Sequence, residues 1–245
     1  MKISIIILQY NINKELVEIT KDCITSFRLA LQNHDHEIII VDNNSPIKDK
    51  EIIKSADIYL QRKENNSVAQ AFNEGVAKST GDIICHSDND VLVAPDWALK
   101  LKETFRKDKD CSVVGFMLAK DKEDLFFSTE EKDRINGMPA GCLFAMKRKV
   151  FEALNGFDEN FKVCYYDDGD FLLRVLKTGF KIRMCYNNKV YHYLSRTTKD
   201  KEYRAGLHTA RTFNQGYFKG KHGGICKDLW KYYMDNFSLY KEKIK

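Results

Sequence analysis

Runs of consecutive apolar residues, many of them β-branched, recur along the first third of the chain, and each closes on a polar cluster. "ISIIIL" (Ile3 to Leu8), "EIIIVD" (Glu37 to Asp42) and "DIICHSD" (Asp82 to Asp88) show no polar alternation. That is the pattern of strands covered on both faces. The shorter "DIYLQR" (Asp57 to Arg62) reads as a further strand. Helical patterns lie between them, over Lys14 to Leu31, around Ile47 to Lys54, and in "SVAQAFNEGVAKSTG". The last has Ser67 placed as its N-cap and Gly81 just past its end. "PDWALKLKETFRK" predicts one more helix, with Pro95 in its first turn. Strands and helices that alternate from Met1 to about Lys107 predict right-handed βαβ units and a parallel sheet.

The second half follows another pattern. "CSVVGFMLA" and "GCLFAMKR" read as strands, separated by a polar excursion from Lys120 to Asn136. "YDDGDFLLRVLKTG" predicts a helix ending at Gly179, and "KIRMCYNNKVYHY" a strand pair or one kinked strand. From about Asp200 onward the pattern is helical, basic and aromatic. The expected division is an α/β domain over 1–199, with halves 1–107 and 108–199, and a helical extension over 200–245.

Composition narrows the class. With 245 residues, 43% of them hydrophobic, the chain has material for a substantial core. The net charge of +5 comes from mixed signs, without the concentrated basic stripe of a nucleic-acid binder. Seven cysteines stand singly, with no CxxC spacing, the usage of reduced thiols in a cytoplasmic protein. "MKISIIILQYN" is too short for a membrane span and lacks a signal-peptide cleavage pattern, so it reads as a buried first strand.

Ligands of open α/β sheets lie beyond the carboxyl ends of the strands. Gln9-Tyr10-Asn11, Asp42-Asn43-Asn44-Ser45 and Asp88-Asn89-Asp90 follow the first, second and fourth predicted strands, so three segments converge on one edge. In extended backbone Asp88 and Asp90 point to one side and Asn89 to the other. Two such carboxylates repel unless a cation joins them, and hard oxygen donors suit Mg²⁺ or Mn²⁺. A solvated acidic turn is the simpler account of so short a motif alone; its place level with the Asp42 cluster favours function. Asp167, Asp168 and Asp170 open a helix, where the dipole favours negative charge. Asp170 and Arg174 have ion-pair spacing, and one acid suffices for a cap, so a general base is as good an account as capping. His192 ends an apparent strand, where a lone histidine is ordinarily packed or exposed. Arg196 and Lys199 beyond it are phosphate contacts or ordinary loop charges.

Five blocks resemble, in order and spacing, the family 2 glycosyltransferases of GT-A fold. They are "ISIIILQYN", "EIIIVDNNS", "NNSVAQAFNEGVAKSTGDIICHSDNDVLVAPDW", "GCLFAMKRKVFEALNGFDENF" and "DDGDFLLRVLKTGFKIRMCYNNKVYHY", and together they cover about Lys2 to Tyr193. The resemblance implies a Rossmann-like, mostly parallel sheet flanked by helices, with 1–107 as the nucleotide-binding half and 108–199 as the acceptor and catalytic half. It implies an inverting, metal-dependent hexosyl- or deoxyhexosyltransferase of glycan or polysaccharide biosynthesis, using Mn²⁺ or Mg²⁺ and a UDP-, GDP- or dTDP-linked sugar. Carried over, Asp42 binds the base with Gln9 and Tyr10 lining its pocket, Asn11 and Asn44 lie on the same nucleotide edge, and Asn73 supports it. Asp88 meets the ribose or the metal's water shell, Asp90 binds the metal, and His192 supplies a further ligand. Asp168 aligns with the base that deprotonates the acceptor. Asp167 replaces the usual Glu beside it, and Asp170 is a weaker alternative. "NGMPAGCLFAMKR", with Gly141 and Cys142, borders acceptor and donor sugar, as does Tyr166, and Arg196 and Lys199 are phosphate candidates.

The implied acceptor is a saccharide or lipid-linked saccharide. The basic tail covers the sheet in the simplest account; a peripheral membrane contact or a homodimer is the alternative use for it. A nucleotidyltransferase would carry a Gly-rich basic loop after the first strand, and "LQYNINKE" has none. A non-catalytic nucleotide-sugar binder, or a transferase acting on DNA or protein, completes the alternatives.

Overall fold

In the computed structural model, which describes residues 1–127, 134–135, 138–194 and 201–223, the first apolar run becomes strand β1 (Ile3–Gln9), every residue of it buried. Its two faces serve two cores. Ile3, Ile5 and Ile7 pack with Val17, Ile24 and Phe27 of helix α1 (Lys14–Leu31). Ile6 and Leu8 pack with Ala69, Phe72 and Val76 of helix α3 (Val68–Lys78). A strand covered on both sides leaves little place for polar groups, and the one inside the run, Ser4, is buried with its hydroxyl bonded to Glu37. β2 (His36–Asp42), β3 (Ile58–Gln61) and β4 (Ile83–Asp88) join it in the order β3-β2-β1-β4, all parallel. α2 (Lys50–Ser55) sits between β2 and β3, capped by Asp49.

The N-caps behave as local chemistry predicts: Asn13 accepts from Leu16 N and Ser67 from Gln70 N. Gly81 has a different role from the helix stop expected of it. α3 ends at Ser79, whose N–H bonds Val76 O. A Cβ at Gly81 would lie 2.4 Å from Ser4 Oγ, so glycine there permits close approach to β1. Pro95 lies outside its helix, α4 (Trp97–Lys107), one residue before the N-cap Asp96.

The second half adds β5 (Val91–Val93), β6 (Cys111–Leu118), β7 (Arg134–Ile135), β8 (Leu143–Lys147), α5 (Arg148–Ala153), α6 (Asp167–Lys177), β9 (Lys181–His192) and α7 (Lys201–His222). β8 pairs antiparallel with both β4 and β6, β6 runs parallel to β9, and β5 and β7 are antiparallel to β9. The mostly parallel expectation therefore holds for the first half, and the sheet as a whole is mixed. The kinked-strand alternative for 181–193 is the one observed. Phe116 pairs with Cys185 but Met117 with Lys189, so residues 186–188 bulge out. The bend turns the end of β9 onto β5, where Val91 faces His192. The excursion after β6 holds a 3₁₀ turn, Glu123–Phe126. The six described cysteines are free, and Cys226 lies outside the described residues.

α7 packs against α6 and the segment that leads into it. Phe218 joins Phe161 and Leu173 of α6 in a small separate cluster. The boundary expected at 199 and the tail beyond 223 lie outside the described residues. No helix among the described residues is long and apolar enough to cross a membrane.

One buried charge gives the fold a pH dependence. Glu37 is 7% exposed and accepts from Lys2 Nζ at 2.8 Å, Ser4 Oγ at 2.6 Å and Thr80 N at 2.5 Å. Burial opposes its charge, but these donors prevail and hold the carboxyl down to about 2 from 4.5. A depressed carboxylate stabilises fully above its unfolded pKa, and the contribution fades as pH falls from 4.5 through 2. Glu37→Gln should therefore melt below the wild type at pH 7, by up to about 3 kcal/mol. Thermal melts at descending pH check this: the gap should shrink below 4.5, and a constant gap would contradict it.

Candidate active site

Gln9, Asp42 and Asp88 end three adjacent parallel strands, so topology alone carries them to one edge. Asp42 is fully buried, and its two oxygens accept from Ser45 N at 2.6 Å and from the Tyr59 hydroxyl. Burial and then the Asp42 contact raise the Tyr59 phenol, keeping it the donor. Gln9 Nε2 donates to Tyr59 at 3.3 Å. Tyr59 was not foreseen. Its signal is the β2–β3 register, which pairs it with Ile40 and so sets it on the side of Asp42; one sequence does not reveal that register.

Asn11 and Asn73 are both engaged in hydrogen bonds within the fold. Asn11 is 1% exposed. Its Oδ1 accepts from Asn89 Nδ2 at 2.9 Å and Thr20 Oγ1 at 3.0 Å, and its N–H bonds Ser45 Oγ at 2.8 Å. It joins the strand ends to one another, and its Nδ2 donates to Gln9 Oε1 at 3.4 Å. Asn73 bonds Phe157 N, Phe157 O and Glu159, tying α3 to the segment after α5 beside a shallow cavity of about 420 Å³. Asn44 is an exposed left-handed turn residue with φ 64°, and Tyr10 is half-buried. His86 and Cys85 are core residues, as read from the strand pattern. The His86 ring lies among Phe72, Phe144 and Phe157, and burial lowers its pKa to about 4.

The acidic turn after β4 is fastened on three sides. Asp88 N donates to Cys142 O at 2.8 Å, Tyr193 N donates to Asp90 O at 3.0 Å, and Asn89 Nδ2 reaches Thr20 Oγ1 at 2.7 Å. Asn89 does face away from its neighbours, but through a turn; only Asp88 belongs to the strand. The bend in β9 supplies His192, whose Nε2 lies 3.0 Å from Asp90 Oδ1 and 4.0 Å from Asp88 Oδ2. Ligand atoms of Asp88, Asp90 and His192 all fall within 4.8 Å of one another. The surrounding protein, then the Asp90 charge, push the Asp88 carboxyl up to about 7, although 41% of its side chain meets solvent. Two crowded carboxylates and an imidazole suit a divalent cation such as Mn²⁺ or Mg²⁺, which relieves that repulsion.

A second acid group faces the first. Burial, then Asp168 and Asp88, raise Asp167 well above the usual carboxylate value, and Asp168 acts on Asp88 in turn. Asp168 is half-buried, and a Cβ on Gly141 would lie 2.1 Å from its Oδ2. Only glycine lets that backbone meet the carboxylate, which gives Gly141 a physical role. Cys142 beside it is 5% exposed and adjoins His192. Asp170, offered as an alternative base, is fully buried against Arg174 Nε at 2.8 Å, Lys221 Nζ at 2.8 Å and His222 Nε2 at 2.7 Å. A carboxylate so held serves as an anchor between α6 and α7. The Tyr166 ring packs on Phe218, not on an open surface. Arg196 and Lys199 lie outside the described residues.

The model of glycosyl transferase family 2 matches residues 4–175. The chain belongs to that family. Among curated relatives, an uncharacterized glycosyltransferase of Bacillus subtilis, YfnE, is 25% identical over 180 residues, 70% of this chain and 45% of its own. An uncharacterized glycosyltransferase of a Nostoc species, alr2836, is 30% identical over 123 residues, 48% of this chain and 36% of its own. The chain thus spans less than half the length of these relatives. Among solved structures, the mannosyltransferase PcManGT from Pyrobaculum calidifontis, in complex with GDP-Man and Mn²⁺, superposes with a TM-score of 0.62 at 20% identity. That match covers 83% of this chain and 59% of that one. GalNAc-T7 with UDP, GalNAc and Mn²⁺ gives 0.59 at 18%, over 78% of this chain and 44% of that one. The family 2 chain has the GT-A fold of these neighbours.

Proposed function

We propose that this family 2 chain transfers a sugar, with inversion, from a UDP-, GDP- or dTDP-linked donor to a hydroxyl of a saccharide or lipid-linked saccharide. The observation that carries the reading is the meeting of two acid groups from distant parts of the sequence. Asp88, Asp90 and His192 form a metal-sized ligand set, and Asp167 and Asp168 lie within electrostatic range of it. The complexes of PcManGT with GDP-Man and Mn²⁺ and of GalNAc-T7 with UDP and Mn²⁺ support it.

Each group then has a task. Asp42, with Gln9 and Tyr59 around it, receives the nucleobase. Asp88, Asp90 and His192 hold the cation, which supplies positive charge against the departing diphosphate. Asp168 takes the proton of the acceptor hydroxyl, a poor nucleophile until deprotonated. Gly141 keeps the carboxylate against the backbone. The buried Asp167 beside it keeps its proton more readily than an ordinary acid, which limits repulsion at the pair.

A melting-temperature screen of UDP-, GDP- and dTDP-sugars tests this. A ligand that binds only the folded chain stabilises it in proportion to RT ln(1 + [L]/Kd). One nucleotide class should raise the melting temperature with MnCl₂ and lose most of that effect in EDTA. No shift with any donor, with or without metal, would sink the reading.

A further inference from the structure

We infer that helix α7 holds the catalytic base in place, and that Asn214 is the positioning residue through which it does so. The inference rests on the proposed role of Asp168 and adds an element beyond the family match, which ends at residue 175.

The segment entering α6 is strained. Val163, Tyr165 and Tyr166 all have left-handed backbone, with φ of 54°, 79° and 72°. None is glycine, and a β-branched residue there is a genuine outlier. Tyr166 occupies the N-cap of α6 and makes no side-chain cap bond. Asp167 and Asp168 follow directly, so the conformation of this strap sets where both acids point. Strain of this kind persists only where surrounding contacts over-determine it.

α7 supplies those contacts. Asn214 is fully buried. Its Oδ1 accepts from Lys162 N at 2.8 Å, and its Nδ2 donates to Lys162 O at 2.8 Å, Cys164 O at 3.0 Å and Tyr165 O at 3.0 Å. One amide thus meets the backbone of three of the four residues ahead of Tyr166. Arg211 lies over the Tyr165 ring, and Phe218 packs on Tyr166. Beyond the acids, Lys221 and His222 bind the buried Asp170 in the same first turn of α6. α7 therefore grips the strap before Asp167–Asp168 and the helix after them. From the other side, the entry to α3 pairs with the Val163 backbone through Asn66 O and Val68 N, and Ser67 Oγ donates to Phe161 O at 3.1 Å. The metal ligands Asp88, Asp90 and His192 receive no contact from Asn214, so the clamp acts on one half of the site.

Asn214→Ala in the full chain, with Asn214→Gln as the conservative partner, tests this by two readouts. Hydrogen exchange should quicken in peptides spanning 162–170 and stay unchanged in those spanning 83–93. In the transfer assay, kcat should fall about a hundredfold, the cost of misplacing a reacting group by an ångström, while Mn²⁺ affinity stays within about twofold of wild type. Asn214→Gln, which retains the amide, should recover part of the kcat. Exchange in 162–170 equal to wild type overturns the clamp whatever the activity. So does a kcat loss matched by an equal loss of folded protein or of Mn²⁺ affinity. A wild type that transfers no sugar while its strap loosens in Asn214→Ala would remove the proposed reaction and leave the clamp standing as a feature of the fold.

Discussion

Asp168→Asn should lower the rate of sugar transfer by about 10²–10⁴-fold, the usual contribution of a positioned general base. Asparagine has nearly the same shape, so the contact with Gly141 survives; what is lost is the ability to accept a proton. The proposed nucleobase site around Asp42 and the candidate ligand set of Asp88, Asp90 and His192 belong to other segments and stay intact. Nucleoside diphosphate affinity should therefore remain close to wild type, giving a loss in kcat without a loss in binding. Steady-state transfer kinetics beside a nucleotide titration would check it. Full transfer by this variant would remove Asp168 as the base and return the role to Asp167, because the buried Asp170 is already engaged by Arg174, Lys221 and His222.

The second large effect is expected at Asp90. Its oxygen lies 3.0 Å from His192 Nε2, and Asp90→Ala takes away one of three ligands and the partner that orients the imidazole. Loss of an outer-shell partner alone costs about 10–100-fold in metal affinity, so loss of a direct ligand should reach at least the upper figure. Calorimetric titration with MnCl₂ measures it. Metal-dependent nucleotide binding should weaken in parallel, while binding of a nucleoside without phosphates should not. Unchanged Mn²⁺ affinity, together with transfer that survives EDTA, would take the metal out of the mechanism.

Legibility in the sequence followed physical range. β1 and α1 could be read to within a residue because their information is local: a run of almost wholly apolar residues, and a helical period after it. The edge on which Gln9, Asp42 and Asp88 converge was legible for a related reason. Parallel strands joined by right-handed crossovers leave their carboxyl ends on one side. The kink in β9 was only half legible. Nothing in "KIRMCYNNKVYHY" says that three residues bulge, since the bulge exists only against β6. The internal ties of Asn11 and Asn73 were not legible, because Asn89, Thr20 and Phe157 reach them only in the folded chain.

The sequence by itself determined most of the strands and helices and the family, and it offered the candidate acids, because periodicity, caps and short motifs are properties of neighbouring residues. Tertiary structure alone decided which polar groups are free to act. It brought His192 to Asp90, gave Tyr59 to Asp42, buried Asp170 under Lys221 and His222, and set Asn214 against the strained strap. Those pairings join residues 17 to 102 positions apart. They are set by register and by packing between elements, which no local pattern encodes.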